Sequence, residues 1–250
     1  GATRPIAAFV DDLSNWYVRR SRRRFWKSEE DKDKVAAYLT LYECLVTLSK
    51  LVAPMMPFIA ETMYQNLVLT LEPGAPESIH LCDFPTADLA MIDEKLISDT
   101  QFAMRMVSLG HAARNKAGIK VRQPLAQALF LVRTDEEAEA LQRFAPEIAE
   151  ELNVKQLGFV REASDVADYV VTAIPSVVGK KYGSLFPKIR LAVAQANSYE
   201  LVQRVKSGES VVLTIEGEPV TLLPEEVDVK LMPREGFAVA EGGGYLAAIT

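Results

Sequence analysis

Between Val18 and Lys27 the chain reads VRRSRRRFWK, in which Arg19, Arg20, Arg22, Arg23, Arg24 and Lys27 surround Trp26 and no acid intervenes. Guanidinium groups neutralise phosphates and stack on planar rings, and an indole stacks on unpaired bases, so the mixture suits RNA. If the helix that carries Phe9, Leu13, Trp16 and Tyr17 simply continued, its apolar stripe would next present Arg20, Arg24 and Lys27. Arg19, Arg22, Arg23 and Trp26 would form the adjoining stripe. Cations on a core stripe mean either that the helix leaves its bundle there or that the arginines pair with acids. Asp11, Asp12, Glu29, Glu30, Asp31 and Asp33 are near enough in sequence to pair, and charge runs are usually solvated faces. Trp16 and Tyr17 read as core residues and Asn15 as a hydrogen-bonding brace. On the residues alone, the RNA site and the ion-paired face both stand.

Two further basic clusters carry the same ambiguity. Lys116, Lys120 and Arg122 flank the segment after a long helical stretch, where they suit either an RNA stem or the negative end of a helix dipole. Lys180 and Lys181, followed by Lys188 and Arg190, surround a glycine-bounded turn. They suit either a phosphate at a helix N-terminus or a basic surface opposite the acidic stretch from Asp135 to Glu151. Other chemistry finds little support. His80 and His111 are the only histidines and read as structural residues. Cys44 and Cys82 sit among apolar neighbours and offer neither a disulfide framework nor zinc spacing. Gly242-Gly243-Gly244 follows a strand and precedes no helix, so it is no phosphate loop. No catalytic residue, metal site or resident cofactor is expected.

The chain has 250 residues, 49% hydrophobic and 25% charged, which fits folded cores rather than disorder. A net charge of −6 excludes a protein coated in nucleic acid and leaves room for one localised anion site. No uninterrupted apolar run approaches the roughly 20 residues of a membrane span. The opening GATRPIAAFVDD does not read as a signal peptide. The expectation is a cytoplasmic protein without a membrane partner.

The elements that must position these residues divide into two regions. The first half reads as helices: one through Tyr17, one over 34–52, one over 57–71 after the Pro54 and Pro57 breaks, and one over 87–116 ended by Gly118. The second half changes period. Strands are expected at 128–132, 154–160, 169–174 and 211–215, helices at 135–151, 184–196 and 198–206, and hairpins over 227–249. Little strict βαβ repetition is expected. The fold class is therefore α+β: an all-α bundle over residues 1–118, then a smaller mixed α+β domain over 119–250.

SNWYVRRSRRRFW, from Ser14 to Trp26, resembles the opening of the anticodon-binding bundle of class I isoleucyl-tRNA synthetases. Three further stretches resemble that family in the same order: LVAPMMPFIAETMY from Leu51, SIHLCDFP from Ser78 and IKVRQPL from Ile119. ELNVKQLGFV, GKKYGSLFPKI and EGFAVAEGGGYLAAIT resemble the C-terminal region of the isoleucyl form shared by eukaryotes and some bacteria, so the resemblance spans essentially the whole chain. It implies recognition of the tRNA(Ile) anticodon stem-loop, with chemistry in a separate Rossmann domain bearing HIGH-type and KMSKS-type signatures. Neither signature is in this sequence, nor is an editing domain, and the closing hairpin pattern stops where related proteins continue. The resemblance therefore implies a C-terminal piece of an ATP-dependent isoleucine–tRNA ligase, without catalysis of its own and partnered by the catalytic and editing domains. A valyl-type synthetase, or a protein-docking module using the apolar Leu41–Met56 surface, are the alternatives.

Overall fold

The structure is a computed structural model that describes residues 3–26 and 31–250. Lys27 and the acids Glu29 and Glu30 lie outside the described residues. The chain divides into two compact units at Ile92–Asp93.

In the first unit, α1 (Thr3–Asp12) runs through a π-helical stretch (Leu13–Val18) into α2 (Arg19–Trp26), followed by α3 (Lys32–Val52) and α4 (Pro57–Tyr64). The wide turns at 13–18 change the register that a uniform helix would keep. Ser21 rather than a guanidinium turns inward and is buried, while Arg19, Arg22 and Arg23 face solvent. Asp31 caps α3, its carboxylate accepting the Asp33 N–H at 3.1 Å. Pro57 starts α4, and further π-helical turns over Gln65–Leu69 carry the helical path nearly as far as expected. Ala53, Ala60, Tyr64, Val68 and Ile79 form a small core.

Two of the motif stretches meet on α4. The buried Tyr64 hydroxyl donates to the Pro76 carbonyl at 2.9 Å, and burial pushes its pKa up to about 12. Glu61 accepts the Ser78 hydroxyl at 2.8 Å and the Ile79 N–H at 3.0 Å, which fastens the SIHLCDFP segment to the helix. Hydrogen bonds from Gln65 and Ser78 hold the Glu61 carboxyl below its ordinary pKa. Among the described helices, α3 is long and apolar enough to cross a membrane by length and composition, although no uninterrupted apolar run is. Averaging over α3 tolerates Glu43, which breaks any single run.

The second unit opens with α5 (Glu94–Lys116), then β1 (Leu125–Leu131), α6 (Asp135–Arg143), α7 (Ala145–Leu152), β2 (Val154–Val160) and β3 (Ala167–Ala173). After these come α8 (Pro175–Tyr182), α9 (Phe186–Gln195), α10 (Ser198–Lys206), β4 (Val211–Ile215), β5 (Glu218–Leu222), β6 (Val227–Pro233), β7 (Ala238–Gly242) and β8 (Tyr245–Ile249). A four-stranded sheet has the order β2-β1-β8-β7, with β1 parallel to β2 and the other pairs antiparallel. α5 packs on β7 and β8. The remaining strands pair as β3 with β6 and β4 with β5. There Val171, Val178, Ile189, Val193, Leu201 and Leu222 are buried together against α8, α9 and α10.

The α+β reading holds, with local differences. α5 begins at Glu94 rather than near Ala87, because the Asp93 carboxylate accepts the Leu96 N–H at 2.8 Å and caps the helix there. The acidic stretch is two helices, since Pro146 occupies the first turn of α7 and the chain breaks at Phe144. α6 and α7 link parallel strands, so one βαβ unit exists where little repetition was expected. α8 and β5 lay outside the sequence reading, and β6 pairs with β3 instead of joining the terminal hairpin. The expected domain boundary after residue 118 and the unit boundary at 92 fall at opposite ends of α5.

Candidate nucleic-acid interface

Arg19, Arg22, Arg23 and Trp26 are exposed on α2, and the Trp26 indole is 81% accessible. An indole that open contributes little to a core and offers a face to a planar ligand. Among the described residues, Arg22 has no carboxylate in ion-pair range. The Arg20 guanidinium lies 5.0 Å from the centre of the Trp16 ring, a cation–π contact within the helix. Trp16 and Tyr17 are half-buried, and the Tyr17 hydroxyl donates to the Ala37 carbonyl at 3.0 Å, as a core residue would. Asn15 donates to Asp11 at 2.6 Å, a brace within its own helix.

Arg24 is engaged by Asp33. Its Nε lies 3.0 Å from both Asp33 oxygens, and its Nη2 reaches Asp33 Oδ1 at 2.8 Å and the Asp33 carbonyl at 3.2 Å. The hydrogen bond to Asp33 raises the Arg24 pKa further. Beside it, the Phe25 and Tyr38 rings sit 4.9 Å apart, and the Tyr38 hydroxyl donates to the Phe25 carbonyl at 3.3 Å. Arg24 and Phe25 thus fasten α2 to α3. Arg24 was expected to contact RNA with its neighbours; here its guanidinium meets the carboxylate and the carbonyl of Asp33.

Lys116, Lys120 and Arg122 are all exposed, the first on the last turn of α5 and the others on the turn that follows. Lys180 is exposed on α8. Lys181 is engaged: its ammonium lies 2.8 and 3.0 Å from the two oxygens of Glu226, which is only 4% exposed. Burial opposes ionisation of Glu226, but the Lys181 hydrogen bond and the Leu223 N–H prevail and hold its pKa low. Lys188 pairs with Glu216 at 2.5 Å. The Lys181 and Lys188 charges are therefore answered by β4–β5 and the approach to β6, not by the acidic helices α6 and α7 as the alternative reading supposed. Arg114, at the end of α5, is fully buried and was not singled out. Its signal was in the sequence all the same, because it continues the apolar Ala103-Val107-Gly110 stripe with a cation.

His80 is exposed and His111 half-buried, and no group of three metal-ligating side chains occurs among the described residues. Cys44 and Cys82 are half-buried free thiols, and burial raises the Cys44 pKa.

Comparison with known proteins places these features in context. The model of the anticodon-binding domain of tRNA ligases matches residues 2–129, which takes in all of α5 and most of β1. The isoleucine–tRNA ligase of Thermus thermophilus is 46% identical over 240 residues, 96% of this chain and 23% of that protein. The one from Dehalococcoides mccartyi (strain ATCC BAA-2266 / KCTC 15142 / 195) is 47% identical over 208 residues, 82% of this chain and 20% of that protein. The one from Thermobifida fusca is 42% identical over 249 residues, 99% of this chain and 23% of that protein. The chain spans about a fifth of the length of the curated relatives it matches.

Proposed function

The chain belongs to the anticodon-binding domain family of tRNA ligases, and from that premise we propose that it grips the anticodon stem and loop of tRNA(Ile) through the exposed end of α2. The observation that carries this reading is the 81% exposed Trp26 indole beside the solvent-facing Arg22 and Arg23. Arginines on phosphates fix the register of a bound RNA, while an open indole takes a splayed base of a loop. Lys116, Lys120 and Arg122 add a second cationic surface, and Lys180 a third. The identities of 42–47% to isoleucine–tRNA ligases favour tRNA(Ile) over other tRNAs. In a longer protein of that kind, this grip would orient the acceptor end toward ATP-dependent isoleucylation carried out by other domains, in the cytoplasm and away from membranes. That contribution is positioning rather than chemistry.

A second reading has one observation in its favour. Val35, Leu39, Leu41, Leu45, Leu67 and Leu71 line an apolar groove of about 670 Å³ along α3, which suits a docked protein segment. Competition separates the readings. Labelled tRNA(Ile) bound to the 250-residue chain should be displaced by unlabelled tRNA(Ile) at least tenfold more readily than by tRNA(Val). Equal displacement would move the assignment to a valyl-type ligase or to general RNA affinity, and absence of binding would favour the docking module.

A further inference from the structure

We infer that Arg114 is a positioning residue, whose buried guanidinium clamps the turn at 117–124 so that Lys120 and Arg122 are held outward for the phosphates of a bound RNA. This rests on the tRNA-binding reading above. α5 ends in a left-handed turn: Gly118 has φ +68°, its N–H donates to the Asn115 carbonyl at 3.1 Å, and the Ile119 N–H donates to the Arg114 carbonyl at 2.9 Å. The Arg114 side chain then acts on the residues just beyond. Its Nη2 donates to the Lys120 carbonyl at 3.0 Å, to the Val121 carbonyl at 3.1 Å and to the Gln123 carbonyl. Asn153, left-handed at φ 49°, adds a donor to the Val121 carbonyl at 3.1 Å, and its own carbonyl accepts the Leu125 N–H at 3.0 Å. The turn has few ladder bonds of its own, so these inward-facing carbonyls fix its shape and the Lys120 and Arg122 side chains stay exposed.

The arrangement is costly, which argues for a role beyond filling space. Arg114 is 0% exposed, burial lowers its pKa, and its Nε and Nη1 have no hydrogen-bond partner among the described residues. An aliphatic side chain would fill the same volume without desolvating a charge. The Nη2 group, at the end of a long side chain, shares its hydrogens among the carbonyls of three residues in one turn, which no aliphatic side chain can do. A turn frozen before binding spares the complex the entropy of ordering its two cations.

The test compares Arg114→Met, Arg114→Lys, Lys120→Ala/Arg122→Ala and the combination of Arg114→Met with that pair. Amide exchange and tRNA(Ile) titration across salt are read for each. In Arg114→Met, amides over 119–125 should exchange at least tenfold faster while β7 and β8 are unchanged. Affinity should fall about threefold to tenfold, matching Lys120→Ala/Arg122→Ala, with the log–log salt slope shallower by about 1.4 to 1.8 for two lost phosphate contacts, from single-stranded to duplex character. Adding Arg114→Met to the pair should cost nothing more, and Arg114→Lys should recover part of the loss. Wild-type affinity and slope in a folded Arg114→Met, or a loss fully additive with the pair, overturns the clamp. If Arg114→Met does not fold, Arg114→Gln takes its place, removing the charge and withdrawing the donor from the turn while keeping a polar side chain. Faster exchange over 119–125 with weaker binding then supports the proposal, and unchanged exchange overturns it. Should the unmodified chain bind tRNA with no salt dependence, the RNA reading fails by itself, and the exchange data still decide whether Arg114 holds the turn.

Discussion

Replacing Arg19, Arg22 and Arg23 together by alanine lowers the affinity for tRNA(Ile) at least tenfold and makes the log–log salt slope shallower by about 2. The slope follows from three lost contacts, each releasing counterions worth about 0.7 on single-stranded phosphate. These three were chosen because each is exposed on α2. Arg24 is excluded, because its guanidinium is held by Asp33 and its removal would loosen α2 from α3. Circular dichroism and thermal melting on the triple variant separate a loss of RNA contacts from a loss of fold. Filter binding or anisotropy from low to moderate salt provides the check. A triple variant that keeps the parental slope would move the phosphate contacts elsewhere on the molecule.

Trp26→Ala should weaken binding by about 1–3 kcal/mol, the contribution of one stacked base, and leave the salt slope unchanged. The two variants therefore separate along different axes: the arginines change the dependence on salt and the indole changes affinity at every salt. Trp26→Phe, with a smaller π-face, should fall between parent and alanine. An indole 81% exposed supports little of the fold, so the melting temperature should hardly move. A large drop in melting temperature would instead mark Trp26 as a structural residue and withdraw it from the interface. Titration calorimetry at two salt concentrations measures both quantities.

Much of this was legible before any coordinates, and what was missed has physical reasons. The helical first half and mixed second half follow from hydrophobic period, and β2, β4 and α10 match their expected limits because turn residues bound each one sharply. α8 escaped because Pro175-Ser176-Val177-Val178-Gly179 reads equally as a strand end and a turn. The pairing of β6 with β3 is non-local, and no local pattern encodes which strand a strand will meet. At the interface, the sequence shows where cations cluster but not which are already answered. Arg24 and Lys181 look like Arg22 and Lys180 in a linear reading, and only the approach of Asp33 and Glu226 distinguishes them. The wide turns at Leu13–Val18 were also invisible, and they shift the register that sets Ser21 inward and Arg19, Arg22 and Arg23 outward.

The resemblance to isoleucyl-tRNA synthetases carried the expectation of tRNA binding further than residue chemistry alone could. Four motif stretches matched in order, and two of them meet in space where Glu61 fastens Ser78 and Ile79. That contact gives the second and third motifs a shared physical purpose, the seating of a proline-rich loop on α4. The first motif has a different one. It sets an indole and several guanidinium groups at the solvent-facing end of a helix in a protein whose net charge is −6.

The most direct measurement follows the fluorescence of Trp26 in a Trp16→Phe background, where it is the single tryptophan, during titration with a tRNA(Ile) anticodon stem-loop. Stacking against an unpaired base should quench the emission in a saturable one-to-one manner, with the midpoint moving to higher RNA concentration as salt is added. Emission that stays constant while anisotropy of labelled RNA reports binding would contradict the placement of the anticodon loop on α2.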